Sequence, residues 1–166
     1  MPKLIKDRAI IDDTWQLIRP ASDGALPELP VQGDVIVPLA LWSVQRDALL
    51  ARKCNLGVWL APNDEPEVIA ADLDMFAVIA VDFPQFTDGR GYSIARLLRE
   101  RYQYSGELRA IGDVLRDQLF YMRRCGFNAF AVRADKSIDD ALNALTDFSE
   151  TYQVSVEQPQ PLFRRR

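Results

Sequence analysis

The 166-residue chain contains no histidine. This absence excludes Ser-His-Asp and Cys-His catalysis, zinc sites built with imidazole ligands, and pH switching by histidine. Cysteine is almost as scarce, since the sequence has only Cys54 and Cys125, each flanked by basic residues. Two ligands do not complete a structural zinc site, so we interpret both residues as small hydrophobic thiols.

The sequence also lacks long apolar stretches and a basic start followed by an apolar run. We therefore expect neither a membrane span nor a secretion signal, and we predict a cytoplasmic protein with reduced thiols. Lysine and arginine number 20 against 24 aspartates and glutamates, which gives a formal net charge of -4. Because such a chain has no global attraction for phosphate polymers, we expect no nucleic-acid partner.

Hydrophobic residues make up 48% of the sequence and charged residues 27%, which is typical of one soluble globular domain. We predict a single domain over residues 1–166 with three parts. Residues 1–33 form a short β-meander and a proline-rich connector, residues 34–152 form the core, and residues 153–166 form a tail.

From Asp34 onward, short apolar runs alternate with segments of helical spacing. The predicted strands are Val35–Leu39, Leu56–Leu60, Phe76–Val81, Leu108–Ile111 and Ala129–Val132. The predicted helices are Ser43–Lys53, Pro66–Leu73, Ser93–Arg101, Val114–Cys125 and Ile138–Thr151. Strands that are apolar throughout and separated by crossover helices indicate an α/β fold with a parallel sheet.

Two architectures fit these βα repeats: an open sheet, or a partial β/α-barrel-like arc in which neighbours in sequence are neighbours in space. We prefer the arc. Either arrangement leaves sheet edges and one face that the N-terminal meander or a second copy of the chain must cover, so we predict a homodimer.

Acidic residues follow three consecutive predicted strands, at the end where parallel α/β folds carry their sites. Asp82 and Asp113 are therefore candidate catalytic acid/base groups, and with Asp135 they are candidate oxygen ligands for a divalent cation such as magnesium. In the structural alternative, Asp113 caps a helix and Asp135 belongs to a turn. We favour that alternative, so we predict no metal and no cofactor.

The loop after the third predicted core strand contains a Gly-Arg-Gly sequence before a helix that Ser93 would open. Backbone N–H groups at Gly91, Tyr92 and Ser93, together with the side chain of Arg90, would suit an oxyanion. The alternative is a tight turn with a solvated arginine. Arg109 is a further anion-binding candidate on the next strand, unless it pairs with Asp82 or Glu107 as buried structural charge.

The segment Asp88–Phe130 together with Thr151–Gln153 resembles a bacterial family of unknown function, domain of unknown function 934, whose members are typically encoded beside sulfite reductase and carry an oxidoreductase label. The likeness rests on short blocks within that segment. They are Gly89-Arg90-Gly91-Tyr92-Ser93, Gly106-Glu107-Leu108-Arg109, Gly112-Asp113-Val114-Leu115, Asp117-Gln118 and Gly126-Phe127. Asn128 stands where the family often has aspartate, which changes little.

The resemblance implies an accessory protein of assimilatory sulfite reduction that binds an oxyanion such as sulfite or sulfate, or a partner such as sulfite reductase, through the Arg90 loop. Sulfite reductase itself needs sirohaem and an iron–sulfur cluster, which two distant cysteines cannot ligate. A nicotinamide-binding fingerprint is also missing. Whether the protein is an enzyme stays open, and the alternative is a β/α-barrel-like enzyme, oxidoreductase or metal-assisted, acting on a small anionic substrate.

Overall fold

The computed structural model describes residues 1–165, which form eight β-strands and four α-helices. The strands are β1 (Lys3–Lys6), β2 (Ala9–Asp12), β3 (Gln16–Leu17), β4 (Val35–Pro38), β5 (Leu56–Leu60), β6 (Val78–Phe83), β7 (Glu107–Gly112) and β8 (Ala129–Phe130). The helices are α1 (Leu39–Leu50), α2 (Arg90–Glu100), α3 (Leu119–Arg124) and α4 (Ile138–Ala144). Short 3₁₀ helices cover Pro66–Met75, Arg116–Gln118 and Leu162–Arg164.

The strands form one sheet in the order β2-β1-β8-β7-β6-β5-β4-β3, which curls like half a barrel. Strands β3 to β8 run parallel to one another, whereas β1 pairs antiparallel with both β8 and β2. The predicted α/β class and partial barrel are therefore confirmed, with consecutive core strands adjacent in space.

The three N-terminal strands lie at both edges of this sheet. β1 and β2 form a hairpin at one edge, closed by Asp7 and Arg8 with φ of 47° and 65°. Two consecutive residues with positive φ are the hallmark of the turn that best matches strand twist. β3 instead pairs with β4 at the opposite edge. Only Asp13, Thr14 and Trp15 connect β2 to β3, so the curl of the sheet brings its two edges close enough for this short connection to join them.

Side chains alternate between the two faces of the sheet, and the helices cover one of them. On that face, strand residues such as Val58 and Ile79 pack with helix residues such as Leu98 and Met122 in the main core. The other face, which we call the helix-free face, carries a smaller apolar cluster. Its buried members are Ile36, Trp59, Val78, Ala80 and Ile111.

The segment from Asp13 to Arg19 runs over the helix-free face. Asp13 binds Arg109 of β7, Trp15 packs on the small cluster, and the backbone oxygen of Ile18 accepts a hydrogen bond of 2.9 Å from Trp59 Nε1. The chain thus covers part of this face itself. The uncovered face that motivated a second copy is therefore smaller than expected, although the outer edges of β2 and β3 remain.

Two helices begin earlier than predicted. α1 begins at Leu39, directly after Pro38, and the Ser43 hydroxyl donates to the Leu39 oxygen inside the helix instead of capping it. α2 begins at Arg90, which places Ser93 in its first turn. A Cβ on Gly91 would lie 2.6 Å from the Phe83 ring, so the missing side chain lets this helix start pack directly on β6.

The last helix is shorter than predicted, because α4 ends at Ala144 and not at Thr151. Its start is as expected, since the Ser137 hydroxyl accepts the Asp140 N–H at 3.3 Å. The following residues are weak helix formers, and the Thr146 hydroxyl bonds to the Asn143 backbone oxygen. Phe148, predicted on the packed face, is 62% exposed.

Candidate functional site

The carboxyl ends of β6 and β7 bring Asp82 and Asp113 to the same end of the sheet. The parallel pairing sets Asp82 opposite Ile111, and Gly112 follows with φ of +92°. A Cβ on Gly112 would collide with the Phe83 backbone oxygen and lie 2.8 Å from Asp82 Oδ1. Glycine is required here because both its left-handed backbone and its bare Cα fit this close approach.

The loop between β6 and α2 is fastened to the end of β7. Phe86 N–H donates to Asp113 Oδ2 at 2.9 Å, and Gln118 Nε2 donates to the Phe86 oxygen at 2.7 Å. Asp113 N–H in turn donates to the Phe83 oxygen at 2.6 Å. The Asp113 side chain therefore anchors this loop, and the 3₁₀ helix it was expected to cap begins later, at Arg116.

Arg90 lies at the first residue of α2 with its side chain 55% exposed. Its Nε and one terminal nitrogen donate to the two oxygens of Asp88 at 2.9 and 2.6 Å, and its other terminal nitrogen donates to Asn63 Oδ1. The hydrogen bond from Arg90 lowers the pKa of Asp88 below its usual range. An anion at Arg90 must therefore compete with a carboxylate that already occupies the guanidinium fork.

The other residues of the predicted anion loop divide into packing and exposed groups. Gly91 is buried against β6, and the Tyr92 ring lies 5.2 Å from the Phe83 ring, centroid to centroid. Burial raises the pKa of Tyr92 to about 12, so its hydroxyl stays protonated. Ser93 is exposed. Of the four anion-binding residues predicted in this loop, Arg90 and Ser93 are thus the ones whose side chains a ligand reaches from solvent.

Asp82 lies on the helix-free face and is paired with Arg19, at 2.8 Å from Oδ1. The Arg19 guanidinium also lies over the Trp59 ring, 5.2 Å from its centroid. Sequence reasoning missed Arg19, because it comes from the N-terminal segment that crosses the sheet. The available signal was the buried position of Asp82, since a buried carboxylate needs a partner.

Arg109 belongs to a buried charge cluster in the middle of the same face. Its side chain is 3% exposed and contacts Glu107 at 2.7 Å and Asp13 at 3.0 Å, and Lys6 binds the second Glu107 oxygen at 2.8 Å. Glu107 was one of the two partners considered from the sequence, and Asp13 was not considered. The guanidinium lies between two carboxylates, which compensates its burial.

Asp113 and Asp135 are bridged by Arg133, which was not singled out from the sequence. Its two terminal nitrogens each lie 2.7 Å from one of the carboxylates. These hydrogen bonds lower the pKa of both aspartates. Over residues 1–165, no three Asp, Glu or Cys side chains are grouped as metal ligands, and Asp82, Asp113 and Asp135 do not form such a group.

Cavities lie toward the other end of the sheet. One of about 250 Å³ lies between the β1–β2 turn, Phe127, Leu145 and Val156. A second, of about 220 Å³, lies between α3, the segment after α4 and the C-terminal tail. Among residues 1–165, Asp82, Arg90 and Asp113 do not line these two cavities or three further well-formed ones.

The tail, residues 153–165, forms part of these cavities by packing on the helical layer. Val156 N–H donates to the Arg124 oxygen at 3.1 Å, and Glu157 binds Arg123 at 2.8 Å. Sequence reasoning did not place the tail, because its contacts are made to residues some 30 positions earlier. In the described part of the chain, no helix has both the length and the apolar character to cross a bilayer.

Comparison with known protein families identifies the family of this chain. No curated protein matches the sequence. The sequence model of a family described as bacterial protein of unknown function (DUF934) matches residues 57–163, which include Asp88–Phe130 and Thr151–Gln153. Because this match covers more than half of the chain, the protein belongs to the bacterial family of unknown function DUF934.

Proposed function

We propose that the protein is an accessory protein of assimilatory sulfite reduction that binds sulfite reductase through the loop Phe83–Ser93. The place in sulfur metabolism rests on the family resemblance. The observation that carries the binding role is the Phe86 side chain, which is 55% exposed. The backbone N–H and C=O of Phe86 itself are both held by hydrogen bonds, so this side chain projects from a fixed position.

A rigid exposed aromatic beside an arginine suits a protein interface, since phenylalanine and arginine are both enriched in the cores of such interfaces. The loop is ordered before binding by Asp113 and Gln118, so association costs little conformational entropy. A free oxyanion is a weaker candidate, because the fork of Arg90 is occupied by Asp88. A partner can contact Phe86 and the exposed edge of this ion pair together.

The enzyme hypothesis needs Asp82 or Asp113 to act on a substrate. Asp82 is buried beneath Arg19, and Asp113 is bound by both Arg133 and the Phe86 N–H. Asp82 is therefore shielded from a substrate, and the hydrogen bonds to Asp113 lower its pKa, so this carboxylate is not poised to exchange a proton near neutral pH. We therefore advance the binding role and not the enzyme.

The partner hypothesis is tested with the full-length protein immobilised on a biosensor and purified sulfite reductase in solution. Binding of the unmodified protein is expected, with a loss of about tenfold or more for Phe86→Ala and for Arg90→Ala. Arg46→Ala is the matched control, because Arg46 is an exposed arginine on α1 that pairs with Asp72 at 2.7 Å. No binding by the unmodified protein, or equal binding by Phe86→Ala, contradicts the proposal.

The oxyanion alternative is distinguished by calorimetric titration with sulfite and with sulfate. The proposal expects no binding tighter than about 1 mM, since Asp88 competes for Arg90. Submillimolar binding that Arg90→Ala abolishes would replace the partner with a small anion.

We also propose that the protein is cytoplasmic and forms a homodimer. In the described part of the chain both cysteines are free thiols, which suits a reducing compartment. The outer edge of β2 offers unpaired backbone groups beside Ile11, which is 39% exposed. Analytical ultracentrifugation is expected to show a dimer that Ile11→Lys dissociates, and a monomer at all concentrations contradicts this.

A further inference from the structure

The cavity of about 220 Å³ at the C-terminal end of α3, which we call the arginine cavity, is lined by three arginines. They are Arg123, Arg124 and Arg165. Three hydroxyl side chains also line it, from Ser149, Thr151 and Ser155. Among residues 1–165 a single carboxylate, Glu157, lines this cavity, so its wall carries an excess of positive charge.

Arg124 has only a neutral acceptor among residues 1–165, since it donates to the Gln153 backbone oxygen at 2.9 Å. The other two arginines combine a backbone carbonyl with a carboxylate. Arg165 donates to the Thr151 oxygen and lies 3.4 Å from Glu150, and Arg123 donates to the Leu145 oxygen at 2.6 Å as well as to Glu157. Backbone carbonyls fix the direction of a guanidinium but leave its charge in place. The positive charge of the cavity is therefore only partly compensated within the chain.

Two of the guanidinium groups are also incompletely bonded. The Nε atoms of Arg124 and Arg165 are buried and have no hydrogen-bond partner among residues 1–165. A buried N–H without an acceptor is unfavourable, and each guanidinium carries five N–H donors in a planar fork that suits the oxygens of a phosphate-type anion. An oxyanion in the cavity would supply both the missing charge and additional acceptors.

An aromatic surface adjoins the arginine cavity. A more open cavity of about 350 Å³ shares Phe120, Arg124, Phe148 and Thr151 with it and extends to Tyr152. The Phe120 and Phe148 rings pack edge to face at 5.0 Å between centroids. Phe148 is 62% and Tyr152 72% exposed, so their remaining ring surface is available to a planar ligand.

We propose that these two cavities form one binding site for an anionic small molecule that carries an aromatic ring, of the mononucleotide class. The phosphate binds in the arginine cavity, and the base stacks on Phe148 and Tyr152. The two cavities together fall in the size range of small-molecule sites, about 300–1,000 Å³. This site lies away from the loop Phe83–Ser93 and does not depend on the role proposed for that loop.

Calorimetric titration of the full-length protein with adenosine monophosphate, adenosine and inorganic phosphate tests the proposal. Adenosine monophosphate is expected to bind with a dissociation constant below about 1 mM, and each fragment about tenfold more weakly or less. Equal affinity for adenosine monophosphate and phosphate overturns the proposal, and so does binding by none of the three.

Variants assign the two halves of the site. Arg124→Met is expected to weaken adenosine monophosphate about tenfold or more, whereas Phe148→Ala weakens adenosine monophosphate and leaves phosphate unchanged. Arg165→Met serves as a second variant if Arg124→Met does not fold. Arg46→Ala, which changes an exposed arginine on α1, is the control and should bind adenosine monophosphate normally. Unchanged binding by both Arg124→Met and Arg165→Met contradicts the assignment.

Discussion

The two ends of the curled sheet use arginine in different ways. At the carboxyl ends of the strands, Arg90 and Arg133 each contact aspartate, and Arg19 contacts the buried Asp82. At the other end, Arg124 donates to a backbone carbonyl, and Arg165 combines a backbone carbonyl with a longer contact of 3.4 Å to Glu150. Both keep buried Nε atoms without partners among residues 1–165. The number of arginines near a surface therefore does not locate an anion site. What matters is how much of each guanidinium's positive charge is compensated by the acceptors around it.

The difference follows from which groups the fold brings to each end. Asp82 lies near the carboxyl end of β6 and Asp113 directly follows β7, so the arginines beside them find carboxylates within hydrogen-bond distance. The C-terminal end of α3 contacts the tail and the segment after α4, which offer mainly carbonyl and hydroxyl oxygens. A carboxylate compensates a cation more completely than a neutral dipole does.

The largest effect is expected at the tightly packed end. Gly112→Ala combines a left-handed backbone with a collision against the Phe83 oxygen, so we expect a loss of about 3 to 4 kcal/mol in the free energy of unfolding. Gly24→Ala is the control, since Gly24 has φ of +81° but no atom within 4 Å of its Cβ position. It should lose only about 1 kcal/mol. Urea denaturation measures both, and equal losses would show that the close approach is unimportant.

A somewhat smaller loss is expected in the buried charge cluster between the two ends. Arg109→Met leaves the buried Glu107 without its strand partner, and we expect a loss of about 3 kcal/mol. The exposed pair of Arg96 with Glu100 provides the control, and Arg96→Met should change stability by less than about 0.5 kcal/mol. A loss at Arg109 no larger than that at Arg96 would mean that the cluster does not stabilise the fold.

The contrast between the ends is measured directly by a pair of substitutions. Arg133→Met removes a bridge between two aspartates and should lower the free energy of unfolding measurably, by an amount that solvent screening limits because the side chain is 39% exposed. Arg124→Met removes a poorly compensated charge and should change stability by less than about 0.5 kcal/mol. Urea denaturation measures the free energy of unfolding of both variants. A larger loss for Arg124→Met than for Arg133→Met would contradict the proposed difference between the two ends of the sheet.

The smallest effect is the acid dependence of stability. The pKa values of Asp88, Asp113 and Asp135 are lowered by hydrogen bonds from arginine in the folded protein. Their stabilisation is therefore complete above the unfolded aspartate pKa of about 3.9 and is lost as the pH falls through the lower folded values. Melting temperatures between about pH 5 and about pH 2 should fall less steeply for Asp113→Asn than for the unmodified protein. Identical slopes would contradict this.

Periodicity made much of the fold predictable, because buried parallel strands are apolar throughout and their helices carry one apolar face. Local chemistry was also predictable where it acts over a few residues. Examples are the side chain of Ser137, which accepts the Asp140 N–H at the start of α4, and Gly126 after α3, which has φ of +114°. Helix ends were less predictable: α1 begins at Leu39 because Pro38 ends β4 there, and α4 ends before the polar residues that follow it.

The candidate site was predictable only as a set of positions. Strand order placed Asp82 and Asp113 at one end of the sheet, as expected for parallel strands. The partners Arg19 and Asp13 were not predictable, because they come from a segment that crosses the sheet and pair over more than 60 residues. The role of the tail at the opposite end was missed for the same reason.

The sequence by itself determined the alternation of strands and helices, the absence of histidine chemistry and the family, since each of these follows from local pattern or residue identity. The tertiary structure decided which arginine meets a carboxylate and which meets only carbonyls. Contacts of that kind require side chains far apart in the chain to come within about 3 Å of each other. Periodicity indicates which face of a strand or helix a residue occupies, but it does not indicate which distant residue lies opposite.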